Sequence, residues 1–407
     1  MPPDEIFDLN RAFAHDDNPQ KVNLTLGAYR TDNSQPWPLP VVQEAEKGLL
    51  AKADIFRHEY TSIEGDAAFL QRARDLLFGF SNNSSRNEKQ DATKARISSV
   101  QTVAGTGANH LGALFLAKHL KPRAVWLSDP SWDNHQRIWE LVGVPRKTYP
   151  YYSAATHSLD FAGMMATLEA EAHEHDVVLL QACGHNPTGV DLSQEQWKAL
   201  AELMESKRLF PFFDSAYQGL ASGSTYKDTW PIRHFLSKKP IMDFCVAQSL
   251  SKNFGLYGQR VGALHYVLGH ETPNNPGIIG NNLCHLIRSE YSVAPRGGSN
   301  IVKEILSAPG LSAKWHGNVR TMNQRLTSMR EALYEALVKH AAPGLWTHII
   351  EQRGMFSYTG LSPTQIDVLR TKYHIYMLQS GRISISGLSG KNVAYVAKAI
   401  DNVVRSC

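Results

Sequence analysis

Phe244-Cys245-Val246-Ala247-Gln248-Ser249-Leu250-Ser251-Lys252-Asn253-Phe254-Gly255-Leu256-Tyr257 runs from an apolar segment into a polar turn that carries one lysine between two serines. Read outward from there, the same transition recurs. Ala124-Val125-Trp126-Leu127, Val177-Val178-Leu179-Leu180 and Phe210-Pro211-Phe212-Phe213 are each followed by small or polar residues, with helical stretches between them. Runs this short and this apolar read as strands buried on both faces. Their alternation with helices predicts an α/β fold with a mostly parallel sheet covered by helices. Ligands in such sheets bind just beyond the carboxyl ends of the strands. Pro211 donates nothing to a ladder and is expected among the first residues of its strand.

The chain has 407 residues, enough for two domains. Hydrophobic residues make up 43% and charged residues 20%, and the net charge is +4 from 42 basic and 38 acidic residues. No basic block stands out, which argues against nucleic acid as a partner. No apolar run is long enough to span a membrane. Met1-Pro2-Pro3-Asp4-Glu5-Ile6 offers neither an apolar signal region nor a basic presequence, so the expected location is cytoplasmic. Cys183, Cys245, Cys284 and Cys407 show no paired or metal-like spacing. Cys245 and Cys284 are expected as buried free thiols, and no metal is expected. Ser193-Gln194-Glu195-Gln196 fits a capping box that opens a helix. Ser81 to Asp91 reads as a surface loop, and its Asn83-Ser84-Ser85 acceptor as inert. From about Ser312 the pattern becomes a long helix with Met322, Leu326, Met329, Leu333 and Leu337 near helical spacing, followed by mixed segments. The expected organisation is an N-terminal arm with part of a small domain over 1–37, a large domain over 38–311, and a small α/β domain over 312–407.

The residues after the strands carry chemistry. A lysine held at the exit of a buried strand forms a Schiff base with an aldehyde once burial or a nearby cation lowers its pKa. Ser249, Ser251 and Arg260, eight positions beyond Lys252, supply hydroxyl and guanidinium donors for a phosphate dianion. An aldehyde that carries its own phosphate is pyridoxal 5'-phosphate (PLP). Taken alone, the stretch also reads as a surface lysine in a serine-rich turn. Asp214, directly after its strand, can pair with a pyridine nitrogen and keep it protonated, or else serve as a helix N-cap. Tyr217 offers a hydroxyl to the ring oxygen, and Asn186, in His185-Asn186-Pro187-Thr188-Gly189, offers an amide. Gly105-Thr106-Gly107 is a glycine-rich turn into a helix, suited to a phosphate. Trp132 has a flat face for the pyridine ring.

Together these segments resemble the aspartate aminotransferase family, class I, fold type I, over essentially the whole chain, closest to the eukaryotic cytosolic branch. Val22-Asn23-Leu24, Gly27-Ala28-Tyr29-Arg30, His58-Glu59-Tyr60, His374-Ile375-Tyr376 and Gly381-Arg382-Ile383 extend the match. The resemblance implies a PLP-dependent aminotransferase exchanging an amino group between aspartate or glutamate and a 2-oxo acid. It implies Lys252 as Schiff-base lysine and proton carrier, Asp214 on the pyridinium, Asn186 and Tyr217 on the ring oxygen, and Trp132 on the ring face. It implies Gly105, Thr106, Ser249 and Arg260 on the phosphate, with Tyr60 arriving from a second subunit. Gly27 and Arg382 would take the substrate's α-carboxylate, and Arg288 of the other subunit its side-chain carboxylate. Such a shared site implies a homodimer.

Five features depart from the family's pattern. Ala104 stands where it has serine or glycine, Gln181 replaces a histidine behind Asp214, and Thr25 replaces a glycine near the entrance. Ser292-Val293-Ala294-Pro295-Arg296-Gly297-Gly298 replaces an S-N-P-P run beside the distal carboxylate site, and Gly258-Gln259 replaces an Asn-Glu pair. They leave three readings: drift in a housekeeping enzyme, a paralogue retuned to another amino acid or another PLP-dependent reaction, and a binding protein that kept the fold.

Overall fold

The computed structural model describes residues 4–52, 58–80, 88–238, 242–269 and 276–406. Seven strands build the central sheet: β1 (Ile97–Val103), β2 (Val125–Asp129), β3 (Arg146–Pro150), β4 (Val177–Gln181), β5 (Phe210–Ser215), β6 (Phe244–Ser249) and β7 (Val261–Val267). Their order is β1-β7-β6-β5-β4-β2-β3. β7 is antiparallel to both neighbours, and the other pairings are parallel. Pro211 is the second residue of β5, opposite Val178. The sequence reading left out β3, whose first three residues are exposed. It also left out β7, an apolar run interrupted by His265.

The alternation along each strand feeds two apolar layers. Val177, Leu179 and Phe212 face one side, with Leu111 and Leu116, while Val178, Leu180 and Phe213 face the other, with Trp197 and Leu200. Successive residues of one strand thus bury on opposite faces, which is why these runs show no hydrophobic–polar period.

The helices that shape the site are α1 (Glu5–His15), α2 (Ala104–His119), α3 (Asp133–Leu141), α4 (Gln194–Ser206), α5 (Pro276–Glu290), α6 (Arg296–Ser307) and α7 (Pro309–Lys339). Ser193 caps α4 with both bonds of a capping box. In α2, Gly112 lets the helix lie on β5: a Cβ there would come within 2.6 Å of the Phe212 ring.

α7 buries Trp315, Val319, Met322, Leu326, Leu333 and Leu337 along one face. Met329, expected on that stripe, is only partly buried, and the buried position beside it belongs to Arg330. This arginine donates to the carbonyls of Ile349, Gly354 and Phe356, which accounts for its place in an apolar layer. Burial pulls its pKa down to about 9. The strand it holds, β8 (Phe356–Tyr358), pairs with β9 (Arg382–Ser384). At the N-terminal end, Val22–Asn23 pairs in parallel with Ile375–Tyr376. One apolar cluster runs from Val22 and Leu24 through Ala216 and Leu250 to Leu369 and Val396, so both chain ends pack onto the sheet's functional edge.

Cys183 and Cys245 are buried free thiols, but Cys284 is only half-buried, because its turn of α5 lies at the surface. Of the expected loop, 81–87 lies outside the described residues, as do Asn83-Ser84-Ser85, Met1-Pro2-Pro3 and Cys407; Glu88–Lys94 is helical. No helix among the described residues is long and apolar enough to cross a membrane.

Candidate active site

The carboxyl ends of β1, β2, β4, β5 and β6 open into one pocket. Eleven of the thirteen site residues expected from the sequence line it: Gly27, Gly105, Thr106, Trp132, Asn186, Asp214, Tyr217, Ser249, Lys252, Arg260 and Arg382. Tyr60 and Arg288 do not. Tyr60 is exposed and Arg288 lies in the last turn of α5, also exposed, both on the outer surface of the same chain.

Lys252 follows β6 in a turn closed by a Gly255 N–H to Lys252 carbonyl bond, and its Nζ sits 5.3 Å above the Tyr217 ring. Burial lowers its pKa, Asp214 opposes that shift, and Arg260 adds to it. The amine is therefore more readily neutral, and nucleophilic, than a surface lysine.

Asp214 lies within β5 and caps no helix. Its Oδ2 is 3.0 Å from Nε2 of His135, whose Nδ1 is 3.0 Å from Ser131 Oγ. His135 was missed by the sequence reading; its only signal is its place three residues after Trp132, one turn beyond Ser131. Its ring also meets Trp132 edge-on at 5.1 Å, which orients the indole.

Gln181, the departure noted behind Asp214, binds Asn186 at both backbone groups. Its Nε2 donates to the Asn186 carbonyl and its Oε1 accepts the Asn186 N–H, each at 2.8 Å. Asp191 holds the same turn by accepting the N–H groups of Gly184 and His185 at 2.8 and 3.0 Å. Asn186 Nδ2 lies 3.5 Å from the Tyr217 hydroxyl. Burial raises the pKa of Tyr217, so the phenol keeps its proton as a donor.

At the phosphate end, Gly105 is required sterically, since a Cβ would fall 2.7 Å from Ser249 Cβ. Arg260, left-handed at φ 51°, points Nη1 at the Tyr257 carbonyl (2.9 Å) and Ser251 Oγ (3.5 Å). Ala104 adopts φ 56° at the head of α2, a backbone that costs a residue with a Cβ about 1–2 kcal/mol. At the opposite end Arg382 is buried beneath the Phe356 ring, 4.5 Å from its centroid, and its Nε has no partner among the described residues. Burial pulls its pKa down to about 10, so it stays charged at neutral pH. Gly27 meets the same ring, where a Cβ would come within 3.0 Å.

These groups fit PLP: hydroxyls, a guanidinium and a helix N-terminus for phosphate, a carboxylate for the pyridinium, and a half-buried amine for the aldehyde. At the rim, Gln101 Nε2 donates to the Pro295 carbonyl (2.8 Å) and Arg296 Nη1 reaches the Glu59 carbonyl (3.4 Å), beside Tyr60. Gly297 and Gly298 make room for Gln259, each with a would-be Cβ 3.0 Å from that side chain, so two departures from the family pattern fit against each other.

A half-buried lysine beside a carboxylate and a set of phosphate-type donors, at the carboxyl edge of this sheet, fits a PLP-dependent enzyme. The chain belongs to the aminotransferases of class I and II, whose family model matches residues 19–400. It is similar to L-tyrosine:2-oxoglutarate aminotransferase ucdG of Aspergillus ustus, 61% identical over 398 residues, or 98% of this chain and 76% of that protein. Among solved structures, the aspartate aminotransferase from Saccharomyces cerevisiae cytoplasm superposes with TM-score 0.94 at 40% identity, over 100% of this chain and 97% of that one. The aromatic-amino-acid aminotransferase from Burkholderia pseudomallei covalently bound to pyridoxal phosphate gives 0.92 at 37%, over 99% and 98%. The resemblance read from the motifs thus holds for family, fold and cofactor.

Proposed function

We propose that this aminotransferase passes the amino group of an aromatic amino acid, tyrosine foremost, to 2-oxoglutarate. The observation that carries the reading is the 61% identity to the tyrosine:2-oxoglutarate relative, against 40% to the yeast aspartate enzyme. The pocket agrees with it: Ile6, Trp132 and Phe356 give apolar surface, and its cations are Lys252, Arg260 and Arg382. The one substrate required to carry two carboxylates is then 2-oxoglutarate, or glutamate in reverse. Aspartate as donor is the second reading, favoured by the TM-score of 0.94 to the aspartate enzyme.

Bound PLP supplies an aldehyde for the amino group and an electron-withdrawing ring. Lys252 would hold the cofactor's aldehyde carbon and, as a neutral amine, would move the proton at the substrate Cα. Asp214, oriented by His135, would keep the pyridine nitrogen protonated. Asn186 and Tyr217 would donate to the ring oxygen, and the Trp132 indole would offer its face to the ring. Gly105, Thr106, Ser249 and Arg260 hold the phosphate. Arg382 receives the α-carboxylate in a bidentate pair beside the Gly27 backbone.

The exposed Tyr60 and Arg288 belong to a partner's site in a homodimer, Tyr60 at the phosphate and Arg288 at the distal carboxylate. A cytoplasmic location and a division into 1–37 with 312–407 against 38–311 complete the proposal. Initial rates of glutamate formation from 2-oxoglutarate with tyrosine, phenylalanine and aspartate test it. A kcat/KM for tyrosine above that for aspartate is expected, and the reverse order hands the assignment to the second reading.

A further inference from the structure

Arg382 is tied to the N-terminal helix through polar side chains that the family resemblance gives no role. Nη2 of Arg382 donates to the carbonyl of Thr25, and Nη1 lies 3.4 Å from Asn186 Oδ1. The Thr25 side chain is wholly buried, with Oγ1 2.6 Å from Asn23 Oδ1 and 3.2 Å from Asn10 Oδ1. Asn23 Nδ2 donates to Asn10 Oδ1 at 2.8 Å, and Asn10 Nδ2 donates to the Ile6 carbonyl at 2.6 Å. The path therefore runs from Asn186 through Arg382, Thr25, Asn23 and Asn10 to Ile6. Its first and last residues both line the catalytic pocket.

α1 has other attachments: Gln379 N–H to Glu5 (2.6 Å), Lys21 to the Phe13 carbonyl (2.9 Å), and Phe13 edge-on to Tyr376. Gln379 and Tyr376 fix the helix to the C-terminal segment and Lys21 ties its end to the stretch that follows it, whereas the Thr25 path fixes it to the arginine itself. A glycine at 25, the family's pattern, would keep the carbonyl bond to Arg382 and lose the hydroxyl link to Asn10 and Asn23.

We infer that Thr25 and Asn10 are positioning residues that couple the seating of α1, and with it the pocket wall at Ile6, to the arginine that receives the substrate carboxylate. Thr25 and Asn10 touch no reacting atom. Coupling of this kind is reciprocal: a carboxylate that orders Arg382 tightens α1, and a seated α1 tightens carboxylate binding. The inference rests on the proposed role of Arg382.

The test uses the PLP-loaded enzyme and three variants, Thr25→Val, Thr25→Ser and Asn10→Leu. The probe is 3-phenylpropionate, a carboxylate with no amino group to transfer. Hydrogen exchange of residues 5–15 is followed with and without the probe, beside KM and kcat for tyrosine. In the wild type and Thr25→Ser the probe should slow exchange across α1. In Thr25→Val that protection should be lost, with KM raised about three- to tenfold and kcat held within about twofold, the scale of one neutral hydrogen bond acting on binding. Asn10→Leu, outside the pocket, should behave like Thr25→Val and decides the matter if Thr25→Val fails to fold. Unchanged KM and intact probe-induced protection in the folded variants overturn the coupling. If the probe fails to bind the wild type, or binds Arg382→Lys equally well, the carboxylate reading of Arg382 falls instead.

Discussion

The pocket's inner end and its rim are built differently. At the inner end Asp214 and Asn186 are buried and held by supporting partners, Asp214 by His135 and Asn186 by two bonds from Gln181, with the turn at Gly184 held by Asp191. At the rim, outside the pocket lining, Tyr60 and Arg288 are exposed on the outer surface, and the segment around Arg296 takes a bond from Gln101 at the Pro295 carbonyl and reaches the Glu59 carbonyl. Groups locked by a supporting layer keep the geometry that proton transfer needs, whereas exposed groups change without cost to the fold. Two of the chain's departures from the family pattern, 292–298 and Gly258-Gln259, sit at the rim and fit each other. The one beside Asp214, Gln181, still makes two bonds.

The largest effect should come from the inner end. Lys252→Ala should remove the proposed anchor and proton carrier together, and general acid–base loss alone lowers kcat roughly 10²–10⁴-fold. Steady-state turnover near the wild-type rate would break the assignment of chemistry to this end.

Asp214→Asn should also lower kcat strongly, with a smaller loss of bound cofactor, because a neutral amide cannot stabilise the pyridinium. His135→Phe should cost less than Asp214→Asn but act on the same parameter. Equal rates in all three proteins would mean that the reaction does not use a protonated ring.

At the rim, Arg288→Leu should raise KM for 2-oxoglutarate about tenfold or more, the scale of one charge-assisted pair, and alter KM for tyrosine far less. An equal rise for both would place Arg288 in the scaffold and erase the distinction between the two ends.

A smaller effect comes from the layer beneath the inner end. His265, bonded to Gln248 and Ser99, is held neutral, burial driving its pKa from 6.5 down to about 3. Between those values the unfolded chain binds the extra proton. Its stability contribution is therefore complete above pH 6.5 and falls as pH drops toward 3, by up to ~1.4 kcal/mol per pH unit. Urea-unfolding midpoints of His265→Gln should fall less steeply than those of the wild type between pH 6.5 and 4. Parallel curves would show that this ring does not titrate on unfolding.

The same contrast explains what the sequence made legible. Asp214 and Ser249 lie at the ends of strands, and Lys252, Asn186 and Gly105 follow strands within a few residues, so a local pattern carried them and the sheet topology brought them together. His135 and Gln181 act on partners chosen by the fold: His135 meets a carboxylate 79 positions away, and Gln181 faces Asp214 across the sheet yet bonds to Asn186. Thr25 stood out only as a mismatch, because its partners Asn10 and Arg382 come from opposite ends of the chain. β7 escaped because one buried histidine broke an apolar run, and its bonds to Gln248 and Ser99 become visible only once three strands are side by side.

The most direct test of the central claim is the half-reaction, followed by the visible absorbance of the lysine-bound cofactor. Tyrosine added alone should abolish that absorbance, and 2-oxoglutarate should then restore it with one equivalent of glutamate formed. An absorbance that no amino donor changes, in a protein that holds the cofactor at Lys252, would contradict the account.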